Sequence, residues 1–190
     1  MNPDPLLPHR KTLRLPDFDY SQPGAYFVTI VTRDRKTLFG KIVDGNVVLN
    51  NVGSMVEEVI KQIPEHYPGI NVEVSVIMPN HVHILFNFFD VLACPCVFQS
   101  DEIENGQPRG VDPTRKQLSL PEIVHRIKSL TTHRYMTGVR DMGWSRFESR
   151  LWQRSYYEHV IRNERDYKAI YEYIITNPMN WEKDEEFSFP

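Results

Sequence analysis

The chain has 190 residues, 41% of them hydrophobic and 25% charged, which excludes a wholly disordered or fibrous protein. No apolar run approaches the roughly 18 residues of a membrane span, and two cysteines, Cys94 and Cys96, are too few for a disulfide framework. The net charge of −3 argues, taken alone, against a protein built to coat nucleic acid.

Residues 1–15 are Pro-rich and polar and read as a flexible arm. They lack the apolar h-region of a signal peptide, so a cytoplasmic location is expected. Ala25–Thr32, rich in β-branched and aromatic residues, reads as a strand. Phe39–Val43 and Val47–Asn50 read as a hairpin around Asp44-Gly45-Asn46, because Asp-Gly readily adopts positive φ. Val52, Val56, Val59, Ile60 and Ile63 recur at helical spacing, which predicts an amphipathic helix over 52–63 that stops at Pro64. Val72–Ile77 and His81–Phe88 are the next strands, broken by Met78-Pro79-Asn80.

Residues 90–117 lose periodicity and read as a surface insertion or disordered loop. Ser119-Leu120-Pro121-Glu122 marks a helix start. Ile123, Ile127, Leu130 and Tyr135 would carry that helix, with Gly138 just past its end. Tyr156–Ile161 is strand-like, and Asn163 caps a last helix running to about Thr176, ahead of Asn177-Pro178. The order predicts an α+β fold: an antiparallel sheet with helices on one face. One domain spans 16–181, and 182–190 form an acidic tail.

The charge is unevenly spread. Residues 109–168 hold 13 Lys and Arg against 7 Asp and Glu, between two acidic ends. Such a block gives either a local basic face or simply a solvated surface. Within it, Arg126, Lys128, Arg134, Arg150 and Arg154 are candidates for phosphate contacts. Trp152 and Tyr157 are candidates for stacking on unpaired bases, although aromatics in such positions are more often core.

The sharpest motif is Pro79-Asn80-His81-Val82-His83. Alternation along a strand puts His81 and His83 on one face, roughly 7 Å apart. There they either bind one divalent cation or are satisfied by hydrogen bonds in a half-buried strand. In the last helix, Tyr167, Ile170, Tyr171, Ile174 and Ile175 form an apolar stripe at about 100° per residue. Tyr173 and Asn177 fall off that stripe and, being i and i+4, lie next to each other. Tyr156 and Tyr157 are rival nucleophiles, but neither has an amide or carboxylate at i+4. Cys94-Pro95-Cys96 is too tight for the usual zinc pair and is treated as incidental.

Three blocks together are more specific: Met78-Pro79-Asn80-His81-Val82-His83-Ile84-Leu85, then residues 152–163 from Trp152 to Asn163, then Tyr171-Glu172-Tyr173-Ile174-Ile175-Thr176-Asn177-Pro178. In this order they resemble the single-tyrosine HUH transposases, above all the REP-associated tyrosine transposases and related insertion-sequence transposases. The resemblance covers most of residues 20–181. It implies a ferredoxin-like or RRM-like sheet, with His81 and His83 as metal ligands, Tyr173 as nucleophile and Asn177 in place of a third, amide-bearing ligand. His159 stands in a matching block and reads as structural or as orienting the site. The stretch 90–117 departs from the compact family pattern.

The resemblance further implies cleavage and rejoining of single-stranded, hairpin-bearing DNA through a 5′-phosphotyrosine link. The expected cofactor is Mg²⁺ or Mn²⁺ polarising the scissile phosphate, with Zn²⁺ not excluded by ligand softness. The expected partner is DNA and not a membrane, with the protein acting as a homodimer or monomer. Two alternatives remain open: an RRM-like binding protein that no longer cleaves, and a metal-dependent hydrolase of small phosphates, which lacks the usual carboxylate ligands.

Overall fold

The computed structural model describes residues 18–90 and 118–183. The expected arm, most of the 90–117 insertion, Cys94 and Cys96, and nearly all of the acidic tail lie outside them. Four strands form one antiparallel sheet: β1 (Gly24–Val31), β4 (Ile70–Ile77), β5 (His81–Phe88) and β6 (Tyr157–Ile161), in the order β4-β5-β1-β6. A separate hairpin, β2 (Gly40–Val43) and β3 (Asn46–Leu49), turns through Asp44 and Gly45, both at positive φ. The helices are α1 (Asn51–Lys61), a single turn α2 (Ile63–His66), α3 (Leu120–Asp141) and α4 (Glu164–Thr176), which a 3-10 segment continues through Asn177–Lys183. The strand order and the βαββαβ succession make this the expected α+β, ferredoxin-like fold. Among the described residues, no helix is long and apolar enough to cross a membrane.

Both faces of the two central strands are covered, and that decides where the helices go. Tyr26, Val28 and Ile30 of β1 and Val82, Ile84, Phe86 and Phe88 of β5 share one core with α1 and α3. Phe27 and Leu85, on the opposite face, pack with Ile174 of α4. The sequence pattern placed all helices on one face; α4 instead takes the other. Every position of β5 but Asn87 is buried, so a second layer is needed to cover the residues that point away from α1 and α3.

Local chemistry explains the boundaries. Asn50 caps α1 by accepting from the N–H groups of Val52 and Gly53, both at 3.0 Å, and its own amide donates to the Leu38 carbonyl. The predicted 52–63 helix ends two residues early and restarts as α2. Pro64 has no N–H with which to continue the ladder. At the start of α3, the Glu122 carboxylate accepts from the Ser119 N–H (2.8 Å) and hydroxyl (2.6 Å).

Two expectations for α3 are corrected. Gly138 does not follow the helix but lies inside it, where the Trp144 ring packs so closely that a Cβ would overlap it. Leu130 is 39% exposed, because Ile123, Val124, Ile127, Thr131 and Tyr135 form the stripe that meets the core.

Candidate active site

The Pro79-Asn80 turn sets the position of the first histidine. Its carbonyls accept from three backbone N–H groups: Leu38 (2.8 Å) and Phe39 (3.0 Å) reach Pro79, and Thr32 (2.8 Å) reaches Asn80. β5 leaves this turn with His81 and His83 on the α4 face, 0% and 2% exposed. Their Nε2 atoms face each other at 2.9 Å. Each Nδ1 has a protein partner: His81 bonds Asn80 Oδ1 at 2.8 Å, and His83 bonds Thr29 Oγ1 at 2.8 Å. Two nitrogen lone pairs do not approach so closely unless a proton or a cation lies between them.

From above the strand, α4 brings Tyr173 Oη to 3.4 Å from His83 Nε2. The tyrosine ring meets His83 edge-on at 5.2 Å and Phe27 at 5.9 Å, and it remains 43% exposed. Asn177, one turn later, is 2% exposed. The structure therefore revises the helical stripe. Tyr171 and Ile175, expected in the core, are exposed, whereas Ile174 is buried with Ile170 and Tyr167 packed beside it. The buried side of α4 is rotated toward Tyr173 and Asn177, so Asn177 belongs to it. The reason is what lies beneath: α4 sits over β4 and β5, where polar histidines share the surface with Leu85.

Two contacts hold α4 in place. His159 of β6 bonds Asp166 of the first turn of α4 at 2.9 Å. Tyr167 lies against Glu73, the residue at the β4 bulge; burial first, then the nearby carboxylate, raises its phenol above the usual range. The 3-10 segment after α4 carries Trp181, whose ring stacks on His81 at 5.9 Å and 28°. The sequence gives no sign of the parts played by Thr29, Asp166 and Trp181, because each comes from a contact with a residue on another element.

The nucleic-acid candidates divide. Arg150 and Arg154 are exposed, on a segment that bonds the end of β1 through Gln153 N–H to Val31 O (2.9 Å) and Arg33 N–H to Leu151 O (2.8 Å). Val31 is the register partner of His81, so these arginines emerge at the histidine end of the sheet, as do Arg33 and Arg35. Tyr157 is 48% exposed and lies beside Thr29 on the histidine face. Arg126 and Arg134 sit on α3, in the layer across the sheet. Arg126 lies over the Tyr67 ring, and Arg134 bonds Gln62 and Glu58. Trp152 is 4% exposed, packs on Phe39 and donates its indole N–H to Thr131 Oγ1 at 2.9 Å, so it is core.

Lys128 is committed too. Its ammonium donates to the carbonyls of Gln153 (2.9 Å), Ser155 (3.0 Å) and Arg154 (3.4 Å) and lies over the Tyr156 ring. Burial lowers its pKa to about 8, while the three carbonyls recover part of the cost of burying the charge. Between about pH 8 and the unfolded value near 10.4, the unfolded chain binds more protons, so this residue makes stability rise with pH. Urea unfolding of Lys128→Met should lack that rise relative to the wild type; equal pH profiles would refute this.

Comparisons with known proteins come to the same place. No protein-family model matches the chain. A Haemophilus influenzae protein described only as uncharacterized is 34% identical over 181 residues, covering 93% of this chain and 92% of its own length. A second protein of that organism, described as "Putative REP-associated tyrosine transposase", is 26% identical over 164 residues, 85% of this chain and 73% of that protein. A solved structure of a REP-associated tyrosine transposase bound to a REP hairpin has the same fold, with a TM-score of 0.55 and 20% identity over 88% of this chain and 73% of that one.

The ferredoxin-like sheet, with a paired-histidine strand under a tyrosine-bearing helix, is the arrangement that the resemblance to single-tyrosine transposases of the HUH type implies. Within that class, the chain is similar to the REP-associated tyrosine transposases.

Proposed function

We propose that this protein cleaves and rejoins single-stranded DNA next to a hairpin, through a covalent bond between Tyr173 and a 5′-phosphate. The observation that carries the reading is the convergence of Tyr173 Oη on His83 Nε2, with His81 Nε2 beside it. Tyr173 Oη attacks phosphorus in line; the new O–P bond replaces the bond to the 3′-oxygen, which leaves as a hydroxyl. Because Tyr173 is 43% exposed, its proton has a path to solvent and needs no buried base. The covalent link conserves the phosphodiester energy, so attack by a 3′-hydroxyl reverses the step and joins strands.

The donor set fits a divalent cation. Two imidazole nitrogens face each other, and each ring is tied at its other nitrogen, as in metal-binding histidines generally. Among the described residues, no three His, Cys, Asp or Glu side chains gather, and the buried amide of Asn177 is the candidate for a third ligand. Mg²⁺ or Mn²⁺ held there would polarise a non-bridging phosphate oxygen. The phosphate track of the incoming strand is assigned to Arg150 and Arg154, with Tyr157 as a platform for a base.

The test is an oligonucleotide with a hairpin and a single-stranded flank, incubated with Mn²⁺ or EDTA and resolved on a denaturing gel. A protein–DNA adduct that needs the metal is expected. Tight binding, unaffected by EDTA and with no cleavage of any strand, would instead support the binding-protein reading. His159→Ala, by loosening the start of α4, should slow adduct formation on the order of 10-fold while leaving the unfolding temperature nearly unchanged. His159→Gln keeps an amide donor toward Asp166 and should recover most of the rate; no difference between the two would remove the positioning role.

A further inference from the structure

We infer that Thr29 is a positioning residue that lets His83 exchange one tautomer for the other, and that Asn80 holds His81 permanently in one. The inference rests on the reading of the histidine pair as a cation site. The two histidines differ in what their outer nitrogens meet. Asn80 Oδ1 can only accept, and the amide is oriented by its Nδ2 donating to the Arg35 carbonyl at 3.2 Å. The proton of His81 is thereby fixed on Nδ1, and Nε2 keeps its lone pair. The outer partner of His83 is a hydroxyl, 4% exposed, which either donates or accepts.

With both rings neutral and no cation between them, the 2.9 Å contact requires a proton, and His83 supplies it from Nε2 because His81 carries its own on Nδ1. Its Nδ1 then accepts from the Thr29 hydroxyl. When a cation takes both Nε2 atoms, the proton of His83 moves to Nδ1 and Thr29 turns to accept it. The balance is closed: one proton changes nitrogen on the same ring, and none leaves the protein. Thr29 is placed for this by the sheet itself, since it is the direct register partner of His83 across β1 and β5. An acceptor-only side chain at that position would favour the cation-bound tautomer alone. A methyl group would support neither.

The experiment uses the full chain with ¹⁵N-labelled histidine. Long-range ¹H–¹⁵N spectra of the cation-free protein should show His81 protonated at Nδ1 and His83 at Nε2, and saturating Mg²⁺ should move the His83 proton to Nδ1. In parallel, Mn²⁺ affinity measured by electron paramagnetic resonance should fall about 10–100-fold in Thr29→Val and stay near wild type in Thr29→Ser. Circular dichroism of both variants guards against misfolding. A cation-free His83 already protonated at Nδ1, or wild-type Mn²⁺ affinity in a folded Thr29→Val, would overturn the role of Thr29. Absence of Mn²⁺ binding by the wild type would instead overturn the cation site, while the cation-free spectrum would still decide which nitrogen Thr29 serves.

Discussion

Tyr173→Phe is expected to remove the covalent protein–DNA adduct, a loss of at least about 10³-fold, while leaving the fold and metal binding intact. The substitution deletes one oxygen from a side chain already 43% exposed, and the phenyl ring keeps its edge contacts with Phe27 and His83. Stability should therefore change little. The informative control is Tyr157→Phe. Tyr157 lies on the same face, with its ring 6.1 Å from that of Phe27, and it is just as accessible. From β6 its ring packs against Phe27, and the residue four positions on is Ile161, not an amide, so its variant should still form the adduct. Adduct formed by Tyr173→Phe and lost in Tyr157→Phe would transfer the chemistry to β6 and end the present assignment.

Gly53→Ala is expected to destabilise the protein by about 2 kcal/mol or more, against the sign that helix propensity gives. In an unencumbered helix interior the change is favourable by about 1 kcal/mol. Here the added methyl would overlap the carbonyl oxygen of Phe39 and approach Leu49 Cδ2 to 2.9 Å. The carbonyl has little room to yield. It accepts the Asn50 N–H at 3.0 Å, and the Phe39 N–H is itself tied to Pro79. Separating α1 from the chain ahead of β2 disturbs packing at a cost of about 1–3 kcal/mol beyond the lost propensity gain. A fall of about 4–8 °C in the unfolding midpoint is the corresponding readout. An unchanged or raised midpoint would show that α1 sits farther from Phe39 than the structure places it.

Much of the site was legible because alternation and helical spacing are local properties. The His81 and His83 pair follows from a strand period of two, and the adjacency of Tyr173 and Asn177 follows from i,i+4 spacing. What the pattern could not supply was the identity of the covering layer. A wheel ranks Tyr171 and Ile175 with Ile174 because all three are apolar, but only Ile174 has Leu85 and Phe27 beneath it. The same limit misplaced Leu130 on α3. Charge counting failed for Lys128 for a related reason: three carbonyls of a distant segment occupy its ammonium, and the sequence gives no sign of that pairing. Trp181 was invisible because its importance comes only from stacking on a residue a hundred positions earlier.

The alternation of β5 has a further consequence for how this sequence can vary. Odd positions, His81 and His83, face α4 and Tyr173, and even positions, Val82, Ile84 and Phe86, face the α1–α3 core. A one-residue insertion or deletion inside the strand would exchange the two sets, sending imidazoles into hydrocarbon and valine and isoleucine under the tyrosine. Substitutions can be absorbed one face at a time, but a frame slip in this strand cannot be. Length should therefore be rigid between Asn80 and Asn87, even among relatives whose residues differ widely there.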